Sequence, residues 1–308
     1  ECDRDHLITD KFINLHDTFM ILLTSGSTAR AKVVALSVSQ IIFSAFASTI
    51  RLGHQHEDVW LATLPLNHIG GLSVILRTMI LGITARVVLP FDASVVNRLI
   101  DDRKVTILSL VPVMLNDIFH HRNFSPFDRS LRVILLGGDA ISPQLLEKIQ
   151  KIKAPVVLTW GMTESASQLA TGLLDDNCEM KFISPSAIDT EMKVQNSGLN
   201  NGREVWLPPL SFIKIEEQNG LLQVRGPMVQ ESRLQSRDIG KVADNGWITV
   251  LGRDENTIIS GGENINLQQI ESVISGYSNV EDVAVLGRID RRWGERPVAF
   301  VKFYENNS

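Results

Sequence analysis

The stretch LRVILLGGDAISPQLLEKIQKIKAPVVLTWGMTES, Leu131 to Ser165, decides the fold class. Two short apolar runs, LRVILLGG and APVVLTW, have the length and composition of buried strands. The segment between them, SPQLLEKIQKI, has the hydrophobic period of an amphipathic helix. A strand, a helix and a second strand in this order predict a βαβ unit with two parallel strands. Continuous apolar runs are typical of parallel sheets, because helices cover both of their faces.

The same alternation extends towards the N-terminus. Strand-length apolar runs are TFMILLT, DVWLATLP, ARVVLP and TILSLVP, and helix-length segments are SVSQIIFSAFASTIRL, GLSVILRTMIL and ASVVNRLIDDR. The sequence therefore predicts an α/β fold in which mostly parallel sheets are flanked by helices.

Beyond about Asp176 the pattern changes to strand-like runs joined by tight-turn dipeptides. Asn219-Gly220 and Asn245-Gly246 are typical of the two-residue turns of β-hairpins, so this part is predicted to be antiparallel β structure.

After Arg253 follow a glycine turn, a helix-like LQQIESVISGY and two strand-like runs, VEDVAVLGR and RPVAFVKFY. We therefore place a domain boundary here. We expect a large domain over 1–252, a small α+β domain over 253–308, and the active site in the cleft between them.

The composition limits the classes of protein that fit. Of the 308 residues, 44% are hydrophobic and 21% charged, which is typical of a globular protein with a sizeable core. The net charge of −5 and the scattered Lys and Arg residues argue against a nucleic-acid partner. No apolar run approaches the ~18 residues of a membrane-spanning helix, and no cleavage signal follows the charged N-terminus. Cys2 and Cys178 are isolated, so we expect free thiols, no structural zinc and a cytoplasmic protein.

Small hydroxyl residues and one cation follow the run TFMILLT. The segment from Thr24 to Lys32, TSGSTARAK, can present backbone N–H groups and hydroxyls to a phosphate beyond the end of a strand. It is not a Walker A loop, because Ala31 and Val33 stand where that motif needs glycine and a hydroxyl residue. Taken alone, the segment also fits a solvated turn ahead of a helix.

A second strand-end segment, LTWGMTESASQ, combines an aromatic ring, a hydroxyl and a carboxylate. Trp160 could stack on a base, Thr163 could bind a phosphate, and Glu164 could hold a magnesium ion.

Taken in this order, and followed by GRDENTIISGGENINLQQIE, these segments resemble those of the ANL superfamily of adenylate-forming enzymes. The phosphate loop of that superfamily has the form TSG(S/T)TGxPK, which is matched here by Thr24, Ser25, Gly26, Ser27, Thr28 and Lys32. The resemblance covers nearly the whole chain.

Within that superfamily the segment DVWLATLPLNHIGGLSVILRTMILG is most similar to the o-succinylbenzoate-CoA ligase family of the menaquinone and phylloquinone pathways. The resemblance implies an AMP-forming acid–thiol ligase that needs ATP, Mg²⁺ and coenzyme A. Its first step forms an acyl-adenylate and pyrophosphate, and its second forms the thioester and AMP. Another aryl- or fatty-acyl-CoA ligase, or a nucleotide-binding remnant impaired in adenylation, remain alternatives.

The resemblance also implies roles for single residues. Lys32 and the loop would hold the β- and γ-phosphates, Thr163 would bind phosphate, and Glu164 would bind magnesium. The adenosine would contact Gly137, Gly138, Trp160, Gly161, Asp238 and Arg253. The acid would lie near His68, Gly70, Gly71 and Arg77, with His68 as the gate to the nucleotide. Glu255 would be the hinge residue, and Gly261 and Gly262 would line the coenzyme A side.

Each assignment has a structural alternative. These are a strand-end turn for Gly137 and Gly138, a helix-start cap for Thr163 and Glu164, an exposed turn for Asp238, a cap or packed side chain for His68, and a solvated helix face for Arg77.

The chain also departs from the pattern of the family. Ala29 and Ala31 replace a glycine and a proline of the phosphate loop. The resemblance further implies that part of the N-terminal region is missing, and that the small domain lacks the lysine that orients the substrate carboxylate and the α-phosphate of ATP.

Overall fold

We analysed the chain as a computed structural model, which describes residues 13–24, 32–139, 141–174, 180–181, 205–231, 233–260, 263–277, 279–290 and 293–304. The first part contains β1 (Thr18–Thr24), β2 (Lys32–Ser37), α1 (Val38–Leu52), β3 (Val59–Ala62), α2 (Ile69–Leu81), β4 (Thr84–Val87), α3 (Ala93–Asp101), β5 (Ile107–Leu110), α4 (Pro112–His121), β6 (Val133–Leu136), α5 (Pro143–Ile152), β7 (Val156–Met162), β8 (Ser167–Leu174) and β9 (Met180–Lys181).

Seven of these strands form the central sheet, in the order β4-β3-β5-β6-β7-β8-β9. The first five strands of that order are parallel, and β8 and β9 add antiparallel pairs at one edge. All four residues of β5 and of β6 are buried, as the continuous apolar runs predicted. The expected α/β fold with a mostly parallel sheet is therefore confirmed.

Local capping fixes where the helices begin. Asp92 accepts hydrogen bonds from the backbone N–H groups at the start of α3, and Ser142 does so for α5. Ser37 and Gln40 form a capping box at the start of α1, in which each side chain accepts from the other residue's backbone N–H. These helices pack their apolar stripes against the sheet, and the largest buried cluster includes Leu108, Ile134 and Leu158.

The strand β1 differs from the sequence-based expectation. It does not join the parallel sheet but pairs with β2 in a two-stranded antiparallel sheet, in which Thr24 lies opposite Lys32. The physical reason is that KVVALS, which follows the loop, is itself apolar and β-branched and forms a strand before α1 begins.

The second part contains β10 (Lys214–Gln218), β11 (Leu221–Arg225), β12 (Leu234–Val242) and β13 (Ile248–Arg253), which form an antiparallel sheet in chain order. Asn219 and Gly220 both have positive φ in the turn between β10 and β11, which is the geometry of a hairpin turn. The predicted antiparallel section is thus confirmed for residues 205–253.

The last part contains β14 (Thr257–Ser260), β15 (Glu263–Asn266), α6 (Leu267–Ser275), β16 (Val280–Asp290) and β17 (Gly294–Phe303). Its sheet has the order β15-β14-β17-β16 and packs against α6 around a separate cluster that includes Ile258, Leu267 and Val285. This is the α+β composition expected after Arg253. Across the described ranges, no helix combines the length and apolar character needed to span a membrane.

Candidate active site

The carboxyl ends of the parallel strands bring several of the predicted residues to one edge of the central sheet. Gly137 directly follows β6, and Trp160 and Gly161 lie near the end of β7. Parallel strands end at the same edge of a sheet, where α/β proteins bind their ligands.

Gly137 must be glycine for a steric reason. A Cβ atom on it would lie 2.6 Å from Thr159 Cγ2 and 2.8 Å from the Thr159 carbonyl oxygen. The absence of a side chain at Gly137 therefore lets the loop after β6 pass close to strand β7. Contact of Gly137 and Gly138 with a base stays a prediction.

Three of the residues predicted to bind adenosine contact one another. Trp160 Nε1 donates a hydrogen bond to Asp238 Oδ2 over 2.9 Å, and Arg253 Nε lies 2.8 Å from Asp238 Oδ1. Strand register explains the second contact, since Asp238 on β12 pairs with Arg253 on β13. Asp238 is 5% exposed, so the alternative that it is an exposed turn residue is wrong.

The phosphate and magnesium candidates form a second group. Lys32 Nζ lies 2.5 Å from Glu164 Oε1, and their side chains are 58% and 25% exposed. Thr163 begins the 3₁₀ turn Thr163–Ser165, which follows β7 and carries Glu164. Where β1 ends and β2 begins, Thr24 Oγ1 donates a hydrogen bond to the Lys32 carbonyl oxygen over 3.4 Å. An exposed ion pair contributes little to stability, so both charges can turn towards a ligand at small cost.

The helix α2 carries the residues predicted to bind the acid. His68 is the exposed N-cap residue of α2, and its side chain makes no capping hydrogen bond. Gly70 and Gly71 form the first turn, which packs against the segment of Leu64 and Pro65. The alternative that the His68 side chain caps the helix is therefore wrong.

Arg77, two turns further along α2, is 2% exposed, so the alternative of a solvated helix face is wrong. Its Nη2 donates to Ser44 Oγ over 3.0 Å, and its guanidinium carbon lies 5.9 Å from the centre of the Trp60 ring. Its Nε has no hydrogen-bond partner among the described residues, and none of their carboxylates pairs with it. Burial lowers the pKa of Arg77 to about 9, so it keeps its charge at neutral pH.

Sequence reasoning missed two residues of α1 that contact the 3₁₀ turn. Gln40 Nε2 donates to the Glu164 carbonyl oxygen over 3.0 Å, and Ser44 Oγ donates to the Ala166 carbonyl oxygen over 2.7 Å. The SVSQ pattern indicates the capping box of Ser37 and Gln40. It does not reveal the contacts with the turn, which lies more than a hundred residues further along the chain.

The remaining predicted residues are not tested by the geometry. Ser25, Gly26, Ser27 and Thr28 of the phosphate loop lie outside the described residues, as do Gly261 and Gly262. Glu255 lies in the 3₁₀ turn Asp254–Asn256 directly after Arg253, where the small sheet begins.

At the end of β7 the Trp160 indole contacts Asp238 of β12, and Glu164 contacts Lys32 of β2. Polar and charged groups gathered at the carboxyl edge of a mostly parallel sheet are typical of the class of α/β proteins that bind nucleotides there. The sequence profile of the AMP-binding enzyme family matches residues 3–231, and that of the AMP-binding enzyme C-terminal domain matches residues 269–308. The chain belongs to the AMP-binding enzyme family.

Individual relatives agree with this assignment. The chain is 33% identical over 305 residues to a 2-succinylbenzoate–CoA ligase of Bacillus cereus, and 35% identical over 312 residues to that of Bacillus licheniformis. Each comparison covers 94% of this chain but only 60% and 61% of the relative. The chain therefore spans about three fifths of the length of these curated relatives.

Solved structures give the same result. The o-succinylbenzoate-CoA synthetase of Bacillus subtilis, in complex with its acyl-adenylate intermediate, is similar with a TM-score of 0.80 and 30% identity, covering 96% of this chain and 61% of that one. The same enzyme in complex with ATP and magnesium gives a TM-score of 0.78 and 30% identity, covering 96% and 62%. The resemblance to adenylate-forming enzymes is thus confirmed.

Proposed function

We propose that this chain belongs to an ATP-dependent ligase that converts o-succinylbenzoate into o-succinylbenzoyl-CoA. In the first step a carboxylate of the acid attacks the α-phosphorus of ATP, which forms an acyl-adenylate and releases pyrophosphate. In the second step the thiolate of coenzyme A attacks the acyl carbon, which forms the thioester and releases AMP. Relatives named for this activity, and a neighbour solved with the acyl-adenylate, support the proposal.

The described residues fit a nucleotide. In the proposal Trp160 lies beside the adenine, the Asp238 carboxylate accepts from the ribose hydroxyls, and Arg253 supports ribose and phosphate. Thr24, Thr163 and Lys32 face the phosphates. Lys32 supplies positive charge where negative charge accumulates on the leaving pyrophosphate, which stabilises the transition state.

The residues also fit magnesium. Mg²⁺ is usually held by one or two carboxylates together with phosphate oxygens and water, and Glu164 offers one such carboxylate at the sheet edge. Among the described residues, no group of three or more His, Cys, Asp or Glu side chains is placed to hold a metal ion. When bound, the ion would neutralise charge on the phosphate oxygens.

Buried Arg77 is the observation that favours a dicarboxylic acid. A desolvated cation without a carboxylate partner among the described residues is costly, and an anionic ligand removes that cost. In the proposal Arg77 pairs with the carboxylate of o-succinylbenzoate that is not activated. The proposal also places Gly70 and Gly71 beside the acid, and His68 between the acid and the nucleotide.

The rest of the arrangement follows the same reasoning. We propose that the two domains meet at Arg253, that Glu255 is the hinge between the half-reactions, and that Gly261 and Gly262 contact coenzyme A after the small domain rotates. A cytoplasmic location, supported by the isolated Cys2 and Cys178, is part of the proposal.

Mass spectrometry of the products tests the proposed function. The chain is incubated with ATP, Mg²⁺ and an acid, and acyl-AMP is measured before coenzyme A is added and acyl-CoA afterwards. The acids are o-succinylbenzoate, its two analogues that each lack one carboxylate, and a fatty acid. We expect product from o-succinylbenzoate at least tenfold faster than from either analogue. Equal rates with the fatty acid would favour another acyl-CoA ligase, and nucleotide binding without any acyl-AMP would favour an impaired remnant.

A substitution isolates the phosphate contact. Lys32→Ala should slow acyl-AMP formation roughly tenfold or more, because one preorganised cation is lost, while the fold is retained. Lys104→Ala is the matched control, since Lys104 also forms an exposed ion pair, 2.9 Å from Asp102, but lies away from the sheet edge. Unchanged acyl-AMP formation by the Lys32 variant would refute the assignment of the phosphate loop.

A further inference from the structure

Helix α1 holds the turn that carries Thr163 and Glu164. Gln40 and Ser44 are four residues apart, so their side chains lie on one face of the helix. Both are buried, and they donate to two carbonyl oxygens of the same turn, those of Glu164 and Ala166. The second donor hydrogen of Gln40 goes to the Met228 carbonyl oxygen over 3.0 Å, which joins the turn to a third segment.

The turn needs such support because its backbone is strained. Ala166 has a φ of 55° and Ser167 a φ of 93°, both in the left-handed region that residues with a side chain seldom adopt. A strained conformation of this kind persists only where the surrounding structure holds it in place. Gln40 and Ser44 bond the carbonyl groups on either side of Ser165, so α1 holds the turn in this conformation.

Ser44 also contacts the buried cation of the acid site. A serine hydroxyl has one hydrogen to donate and lone pairs to accept with. The hydrogen goes to the Ala166 carbonyl oxygen, so the hydroxyl accepts from Arg77 Nη2. Arg77, Ser44 and Ala166 thus form one continuous chain of hydrogen bonds from α2, through α1, to the turn.

The packing beside this chain leaves almost no free space. A cavity of about 10 Å³ lies there, lined by Ser44, Ser73, Arg77 and Ala166 among others. That volume is at the lower limit for one water molecule and too small for a carboxylate. An acid that reaches Arg77 must therefore displace groups that line this cavity, and Ser44 and Ala166 of the hydrogen-bond chain are among them.

We propose that Ser44 is a positioning residue that couples occupancy of the acid site at Arg77 to the geometry of the Thr163–Ala166 turn, with Gln40 as the second anchor. The proposal rests on the proposed function for the assignment of Arg77 to the acid and Glu164 to magnesium. Its consequence is that acid and magnesium-nucleotide bind cooperatively. It also predicts that the cooperativity depends on one hydroxyl group that contacts neither ligand.

A matched pair of serine variants tests the coupling. Ser44→Ala removes the link, and Ser48→Ala makes the same change one turn further along α1, where the buried hydroxyl has no partner among the described residues. The dissociation constant of Mg²⁺ with α,β-methylene-ATP, which cannot be cleaved at the α-phosphorus, is measured with and without o-succinylbenzoate. In the wild type and in Ser48→Ala we expect the acid to tighten nucleotide binding at least threefold. In Ser44→Ala we expect no tightening, while nucleotide affinity without acid stays within threefold.

A second measurement needs no ligand. Hydrogen exchange of the peptide that contains residues 163–168 should be at least tenfold faster in Ser44→Ala than in Ser48→Ala, because the turn loses one anchor. Tightening that persists in Ser44→Ala, or unchanged exchange of the turn, would overturn the proposal. A wild type that binds the nucleotide but no o-succinylbenzoate would refute the proposed function and the coupling together, and the exchange result would still decide whether Ser44 holds the turn.

Discussion

At the scale of single residues, the burial of His54 makes the stability of the fold depend on pH. Its ring packs on Trp60 with 5.0 Å between ring centres, and its Nε2 has no partner among the described residues. Burial, helped by the positive charges of Arg77 and Arg132, lowers the pKa of His54 to about 4, although Asp58 acts in the opposite direction.

The sign of the resulting pH dependence follows from proton linkage. The value of about 4 lies below the ~6.5 of an unfolded histidine, so between these pH values the unfolded chain binds more protons. The stability that neutral His54 permits is complete above pH ~6.5 and is lost as the pH falls towards 4. We expect His54→Gln to reduce the difference in unfolding free energy between pH 7 and pH 5 by about 1–2 kcal/mol, measured by urea denaturation.

The same substitution at exposed His56 is the control for this prediction. It should leave the wild-type difference between the two pH values in place. If His54→Gln also leaves it in place, His54 does not titrate differently in the folded and unfolded chains.

Single residues also show what the sequence could predict about the site. The resemblance to adenylate-forming enzymes selects Trp160, Asp238 and Arg253, and the structure brings these three residues together. The sequence does not predict that Arg77 is buried, because the hydrophobic period of α2 does not show which face of α2 is covered by α1. The contact of Arg77 with Ser44 depends on the packing of the two helices, which no local pattern encodes.

At the scale of elements, hydrophobic period was a good guide where a helix has one buried stripe. The predicted segments for α1, α2, α3 and α5 agree with the structure to within two residues at each end. The sequence analysis does not predict helix α4, because its strand-like run TILSLVP ends at Pro112, whereas the structure places Pro112 in the first turn of a helix, where proline is favoured. β1 pairs with β2 across an intervening loop that lies outside the described residues. No local pattern in the sequence predicts this pairing.

At the start of α2, we expect alanine to have different effects on stability at the adjacent positions Gly70 and Gly71. A Cβ atom on Gly71 would lie 2.5 Å from the Pro65 carbonyl oxygen and closer still to that of Leu64, and both are backbone atoms. On Gly70 it would meet only Leu64 Cδ1 at 3.3 Å, the end of a side chain that can move. We expect Gly71→Ala to cost about 2 kcal/mol or more of unfolding free energy, because the start of the helix must shift.

Gly70→Ala is the matched control and should be neutral or stabilising by up to about 1 kcal/mol, since alanine favours helix over glycine. Urea denaturation of both variants measures the difference. Equal effects of the two substitutions would show that the contact with Leu64 and Pro65 does not fix the start of α2.

At the scale of the whole molecule, the central sheet and the sheet after Arg253 have separate apolar clusters. The change of sequence pattern at Arg253 predicts a domain boundary there, but it does not predict how strongly the two parts depend on each other for stability. Among the described residues, the cluster of the last part has only three buried members, Ile258, Leu267 and Val285, whereas the main cluster is several times larger. The last part should therefore unfold under conditions that leave the central sheet intact.

Two valines of the last part test this independence with one and the same substitution. Val285 on β16 is 3% exposed within the small cluster, and Val273 on α6 is 65% exposed. An unpaired charge at Val285 has no compensating partner in an apolar cluster, so Val285→Asp should unfold the last part. In hydrogen exchange, β14 to β17 should then lose protection while β5 and β6 keep theirs, and Val273→Asp should match the wild type. Since Trp160 and Asp238 lie before the boundary, Val285→Asp should still bind AMP. Loss of protection in β5 and β6 would instead mean that the chain unfolds as one cooperative unit, and the boundary at Arg253 would have to be abandoned.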